Sequence, residues 1–120
     1  MDSLNDTLQA ILAFRDDRDW SQFHTPRNLA AALTIEASEL QETMLWKGED
    51  EVRALLSEPR TKSQVQREIA DVLIYALLLC HATGVDPIKA VEEKLRENAT
   101  KYPVHLAKGR ATKYSGLDHP

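Results

Sequence analysis

Two short acidic stretches, Glu36-Ala37-Ser38-Glu39 and Glu68-Ile69-Ala70-Asp71, hold the residues best suited to chemistry in this 120-residue chain. Each sets two carboxylates three positions apart, which on a helix is one face. At about 100° of rotation per residue, Val65, Val72, Tyr75 and Leu79 fall within roughly 60° of Glu68. Asp71 lies about 60° away beside Leu78. Leu29, Leu33 and Leu40 bracket Glu36 in the same way. Carboxylates avoid apolar stripes unless something offsets their charge. Four of them on two helices suggest a shared cation. Oxygen-only ligation suits Mg²⁺, with Mn²⁺ as the alternative, the other positions going to water and phosphate oxygens. A di-iron bundle needs Glu-x-x-His pairs, whereas the third residue on is here Glu39 or Asp71. The competing reading is that these acids salt-bridge with Arg27, Arg67 or Lys94.

A second group lies in the stretch from Lys94 to Pro103. Lys94, Asn98 and Lys101 fall within about 60° of one another on a helix, offering two cations and an amide to phosphate oxygens. Such a face is equally at home as solvated surface. Beside a metal cluster it becomes a means of holding a polyphosphate. Trp20 and Trp46 sit at helix boundaries, where a ring either stacks on a nucleobase or plugs the end of a bundle. His24 and Arg27 flank the first boundary as ligand contacts or as hydrogen-bonding cap residues. His81, His105 and His119 have no metal-ligand or catalytic spacing.

These residues need helices to position them. Ser3 or Asn5 caps a first helix to about Arg18, with Leu4, Leu8, Ile11 and Phe14 at helical spacing. Thr25-Pro26 reads as an N-cap and first helical residue of a second, reaching about Leu45. Trp46-Lys47-Gly48 is a stop, and Glu49 to Ser57 forms a short helix. A long helix from about Thr61 to Thr83 ends at Gly84. Asp86-Pro87 starts another to about Lys101, with Ile88, Val91 and Leu95 inward. No stretch alternates as a strand, so the fold is all-α, a bundle of four main helices. The domain spans 1–103, and 104–120 is a loosely packed tail with Gly109, Gly116 and Pro120 as breakers. The run Val72 to Cys80 is apolar nearly all round and wants more neighbours than three helices supply, which predicts a homo-oligomer, dimer or tetramer.

Composition narrows the classes. Content of 42% hydrophobic and 28% charged residues is that of a soluble globular domain. The net charge is −4; Lys108, Arg110 and Lys113 against Asp118 leave the part before Pro103 at −6. An acidic body argues against nucleic acid as partner, and three tail cations are too few for tight binding. A single cysteine, Cys80, forms no disulfide within the chain and reads as a buried, inert thiol. The N-terminus has no signal-sequence pattern and no run is long enough to span a membrane, so no membrane association and a cytoplasmic location are expected.

With these residues assembled, the chain resembles the MazG-like, all-α nucleoside triphosphate pyrophosphohydrolases, nearest the small dCTP-pyrophosphatase branch. Glu36, Glu39, Glu68 and Asp71 meet the family's Glu-x-x-Glu, spacer, Glu-x-x-Asp pattern. Arg18-Asp19-Trp20, the run from Phe23 to Leu29, Trp46-Lys47-Gly48 and Lys101-Tyr102-Pro103 match as well, over about residues 4–103. The resemblance implies an oligomeric MazG-like bundle and Mg²⁺-dependent cleavage of a dNTP, dCTP or a modified dCTP, to the monophosphate and pyrophosphate, in nucleotide-pool house-cleaning. It implies that Trp20 and Trp46 frame the base and that Tyr75, Lys94 and Asn98 lie near sugar and phosphates, with Lys101 and Tyr102 beside them. Members of the branch can carry a histidine on the first helix facing the base, where this chain has Ile11. The alternatives are a same-fold enzyme preferring dUTP or phosphoribosyl-ATP, and a non-catalytic helical oligomerisation module whose acids are structural.

Overall fold

The computed structural model describes residue 1 and residues 3–117, and among these residues there are helices, turns and irregular links but no strand. Helix α1 spans Leu4–Asp17, α2 Pro26–Glu42, α3 Glu49–Ser57, α4 Pro59–Thr83, α5 Pro87–Lys101 and α6 Val104–Ala107. Short 3₁₀ turns cover Ser21–Phe23 and Tyr114–Gly116. Six α-helices therefore stand among the described residues where four main ones were expected. α3 is the short helix anticipated at Glu49 to Ser57, and α6 is a single turn that no apolar period announced.

The helix ends follow local chemistry. The Ser3 hydroxyl accepts from the Asp6 amide at 3.1 Å, and the Thr25 hydroxyl from the Asn28 amide at 3.2 Å ahead of Pro26. The Asp86 carboxylate accepts from the amides of Ile88 and Lys89 at the start of α5. α4 stops at Gly84, whose φ of 72° is the left-handed cap that glycine adopts without strain. α2 stops at Glu42, three residues before the expected end, because the amides of Met44 and Leu45 bond to the carbonyls of Gln41 and Glu42 in tight turns.

The chain divides into two compact units, one to Gly84 and one from Val85 on. In the first, α2 lies along α4 and α1 also packs on α4. Leu12, Leu29 and Leu78, one from each helix, form the buried centre, with Leu8, Ile11, Ile74, Tyr75 and Leu79 around them. In the second unit, the Tyr102 and Tyr114 rings meet edge to face at 6.3 Å, and the Lys101 ammonium lies 4.9 Å from the Tyr114 ring centre. The segment expected as a tail carries α6, the turn at Tyr114–Gly116 and a buried Leu117. Its last three residues lie outside the described residues. Ile88, Val91 and Leu95 do not point inward as their spacing predicts: they are 52%, 58% and 61% exposed. Helical spacing identifies an apolar stripe but says nothing about what covers it.

Candidate metal centre and adjoining cavity

α2 and α4 carry the two acidic stretches side by side. Glu36, Glu39 and Glu68 each offer a carboxylate oxygen, and the three oxygens lie within 4.8 Å of one another. The Oε2 atoms of Glu36 and Glu68 are buried, and no hydrogen-bond donor reaches either. Burial pushes the Glu36 carboxyl up to about 7; a hydrogen bond to Glu39 and the charges of Glu39, Asp71 and Glu68 add to it. Glu68 is raised chiefly by burial, then by the Glu39 and Asp71 charges and a hydrogen bond to Glu39, with Arg67 opposing. Asp71 stands outside the triad of close oxygens, yet its charge acts on both glutamates. Mutually repelling carboxylates with two orphaned acceptors are poorly satisfied by protein alone. An oxygen-only set with that defect fits a hard divalent cation such as Mg²⁺ or Mn²⁺.

Asp71 also lines a cavity of about 720 Å³ in the first unit, a size typical of small-molecule sites. Leu4, Ile11, Phe14, Leu73 and Ile74 make most of its wall apolar, and Arg15, His24, Asp71 and Tyr75 are polar exceptions. Trp20 completes the lining from the turn after α1. That turn is fixed locally. Asp19 takes a φ of 55°, and the Trp20 amide donates to the Arg15 carbonyl at 3.1 Å. The Asn28 side-chain amide donates to the Phe23 carbonyl at 2.9 Å, tying the 3₁₀ turn to α2. Phe14 meets Trp20 edge on at 5.8 Å, the Arg18 guanidinium lies 3.6 Å over the Phe14 ring, and Trp20 and His24 are 6.5 Å apart. His24 Nδ1 is buried without a partner, and burial followed by the Arg15 charge holds this histidine below its usual range.

Of the residues singled out from sequence, Glu36, Glu39 and Glu68 form the cluster, and Trp20, His24, Asp71 and Tyr75 line the cavity. Arg27 is exposed on the first turn of α2 and Trp46 is 93% exposed at a φ of 63°; neither lines the cavity. Lys94, Asn98, Lys101 and Tyr102 stand in the second unit. Glu97 takes both lysines, at 3.5 Å from Lys94 and 2.9 Å from Lys101, and is lowered by them, while Lys101 is raised. The Asn98 carbonyl accepts from the Tyr102 amide at 2.7 Å. Arg15 and Thr7 are polar lining residues that sequence reasoning missed, and Arg15 is the charged one. Its signal was present: it follows Ile11 by four positions and so shares the face of α1 that carries Leu4, Leu8 and Ile11.

Residues 31–117 match the sequence profile of the MazG-like family. The chain is 41% identical over 117 residues to the dCTP pyrophosphatase 1 of Bos taurus, covering 98% of this chain and 69% of that one. It is 40% identical to the Homo sapiens dCTP pyrophosphatase 1 over the same length and coverage. Among solved structures, a pyrophosphatase from Archaeoglobus fulgidus superposes with a TM-score of 0.77 at 44% identity, over 83% of this chain and 92% of that chain.

Proposed function

The chain belongs to the MazG-like family, and from that premise we propose that it cleaves dCTP, or a modified dCTP, to the monophosphate and pyrophosphate with Mg²⁺. It is a nucleoside triphosphate pyrophosphohydrolase. The observation that carries the finer reading is one of place: a cluster of carboxylates with orphaned oxygens adjoins, through Asp71, a cavity large enough for a nucleoside. A purely structural set of acids would have basic partners, and no salt bridge to Glu36, Glu39, Glu68 or Asp71 exists among the described residues.

In this reading Glu36, Glu39, Glu68 and Asp71 hold the metal. Mg²⁺ held there would supply Lewis-acid polarisation of phosphate oxygens and would offset charge on the leaving pyrophosphate. One of the carboxylates orients or deprotonates the attacking water. Trp20, His24 and Tyr75 receive the nucleoside, and the apolar wall keeps water from its base. Trp46 and Arg27 are the further ligand contacts on the first unit. Lys94, Asn98, Lys101 and Tyr102 offer the cations and donors that phosphate oxygens accept, and Glu97 must then give up its two lysines. The enzyme works as a homo-oligomer of the four long helices, in the cytoplasm, on a nucleotide rather than on nucleic acid or a membrane surface. No single helix among the described residues is long and apolar enough to cross a membrane.

Pyrophosphate release from dNTPs and NTPs with Mg²⁺, run beside Glu68→Gln, tests this. Release from dCTP that is lost in the variant is expected. Release from dUTP or phosphoribosyl-ATP instead would keep the chemistry and move the base preference. No release from any nucleotide would return the four acids to a structural role in an oligomerisation module.

A further inference from the structure

The cavity holds one side-chain cation among its described lining residues, and that cation is unusually placed. The Arg15 side chain is only 15% exposed, while its one ionic partner among the described residues, Asp16, is 56% exposed. Both contacts converge on the same oxygen: Nε and Nη2 each lie 2.8 Å from Asp16 Oδ1. A guanidinium has five N–H donors in a planar fork. Asp16 occupies the Nε side, which leaves Nη1 and the outer hydrogen of Nη2 as a parallel, end-on pair. No hydrogen bond uses that pair among the described residues. Arg15 lines the cavity together with Ile11, Phe14 and Ile74, and a guanidinium drawn largely out of water costs free energy unless a ligand completes its hydrogen bonds. Asp16 lowers that cost and fixes the plane, so the free edge is preorganised.

We propose that Arg15 is the specificity-determining residue of this site, its end-on N–H pair reading two adjacent acceptors on the edge of the nucleobase. The inference rests on the nucleotide reading above and adds the base chemistry to it. Cytosine offers O2 and N3 side by side, and guanine offers O6 and N7. Thymine and uracil set an N3–H donor between O2 and O4, which faces a guanidinium donor with a donor. Adenine pairs the N7 acceptor with an N6 donor. A planar two-donor edge therefore admits cytosine and guanine and penalises the other bases. Burial, and after it the Arg15 charge, lowers the pKa of the neighbouring His24 and so disfavours a second cation beside Arg15.

The test is the specificity constant for dCTP, dGTP, dTTP and dATP in the wild type, Arg15→Met and Arg15→Lys, with dCMP and dTMP binding read separately by thermal shift. The wild type is expected to favour dCTP over dTTP. Arg15→Met should lower the dCTP value about ten- to a hundredfold, the worth of one two-pronged base contact, with dTTP changed by no more than a few-fold. Lysine keeps the charge but not the fork, so Arg15→Lys should fail to restore the ratio. An unchanged dCTP-to-dTTP ratio, an equal fall for all four nucleotides, or full rescue by lysine would each overturn the proposal. Should Arg15→Met fold poorly, Arg15→Lys carries the comparison, since it retains the pairing with Asp16. Nucleotide binding without any turnover would defeat the enzymatic reading alone. In that case loss of the dCMP-over-dTMP preference in the variants still decides for Arg15, and its persistence decides against.

Discussion

Glu36 on α2 and Glu68 on α4 each bury an Oε2 atom that no donor reaches, within a cluster whose carboxylate oxygens all lie within 4.8 Å of one another. Neither side chain is fully buried, so the defect arises from the way two helices face each other and not from depth in a core. Two helices that place like charges together lose free energy at that contact, and a divalent cation converts the loss into a gain. The energetic consequences can be read in the metal-free protein as well as in the loaded one.

Acidity should therefore stabilise the metal-free protein. The Glu36 carboxyl rises from its ordinary 4.5 to about 7 in the folded chain. A raised folded pKa means the fold binds the proton more tightly than the unfolded chain does. The associated stability is fully present below 4.5 and is lost as pH climbs through about 7. In chelator, the Tm is expected to fall between those two values, and Glu36→Gln should flatten that fall. Excess Mg²⁺ or Mn²⁺ should raise Tm most at the alkaline end, where the carboxylates are ionised. A Tm in chelator that rises over the same interval would contradict the electrostatics of the cluster.

Glu68→Gln separates repulsion from ligation. The amide keeps the shape and removes one negative charge, so the metal-free variant should melt no lower than the wild type. Its Mn²⁺-induced Tm shift should shrink sharply, and turnover should drop by roughly 10³-fold, several kcal/mol of transition-state stabilisation. A variant with wild-type turnover would remove Glu68 from the reaction.

How much of this was legible beforehand depends on whether the signal was local. Ser3, Thr25-Pro26, Gly84 and Asp86-Pro87 set helix ends through hydrogen bonds to their own neighbours, and those boundaries match the chain as folded. The three-residue spacing of Glu36 with Glu39 and of Glu68 with Asp71 was equally local, so the faces of the acidic pairs could be read directly. The cavity is tertiary. Helical spacing puts Arg15 on the apolar face of α1, but which residues of α4 and the Trp20 turn share a cavity with it is fixed only by the tertiary fold. After Pro103 no apolar period exists, yet Leu117 is buried, because a single side chain can be covered without any repeating pattern.

Trp46 should behave as a ligand contact with little part in the fold. Its side chain is 93% exposed, so Trp46→Ala is expected to leave Tm within a degree or so of the wild type. If the ring stacks on the base, KM rises while kcat at saturation holds. Its φ of 63° is a conformation that glycine adopts more cheaply, so Trp46→Gly should stabilise the fold by up to about 1 kcal/mol. An equal fall in kcat and kcat/KM for Trp46→Ala would instead assign the ring a part in the transition state.

The α5 stripe offers the most direct reading of assembly. Ile88, Val91 and Leu95 recur at helical spacing and each is more than half exposed in the single chain. Three aliphatic side chains in one row make an apolar strip, and burying it against further copies would recover about 25 cal/mol per Å². The wild type is accordingly expected to sediment as a dimer or tetramer, with a Tm that rises with protein concentration. Val91→Glu combined with Leu95→Glu should shift the sedimenting species toward the monomer. Helical content should survive, because neither side chain is buried within the chain. A wild type that sediments as a monomer at all concentrations would remove the stripe as an interface. An oligomer that ignores both substitutions would place the contact away from the α5 stripe.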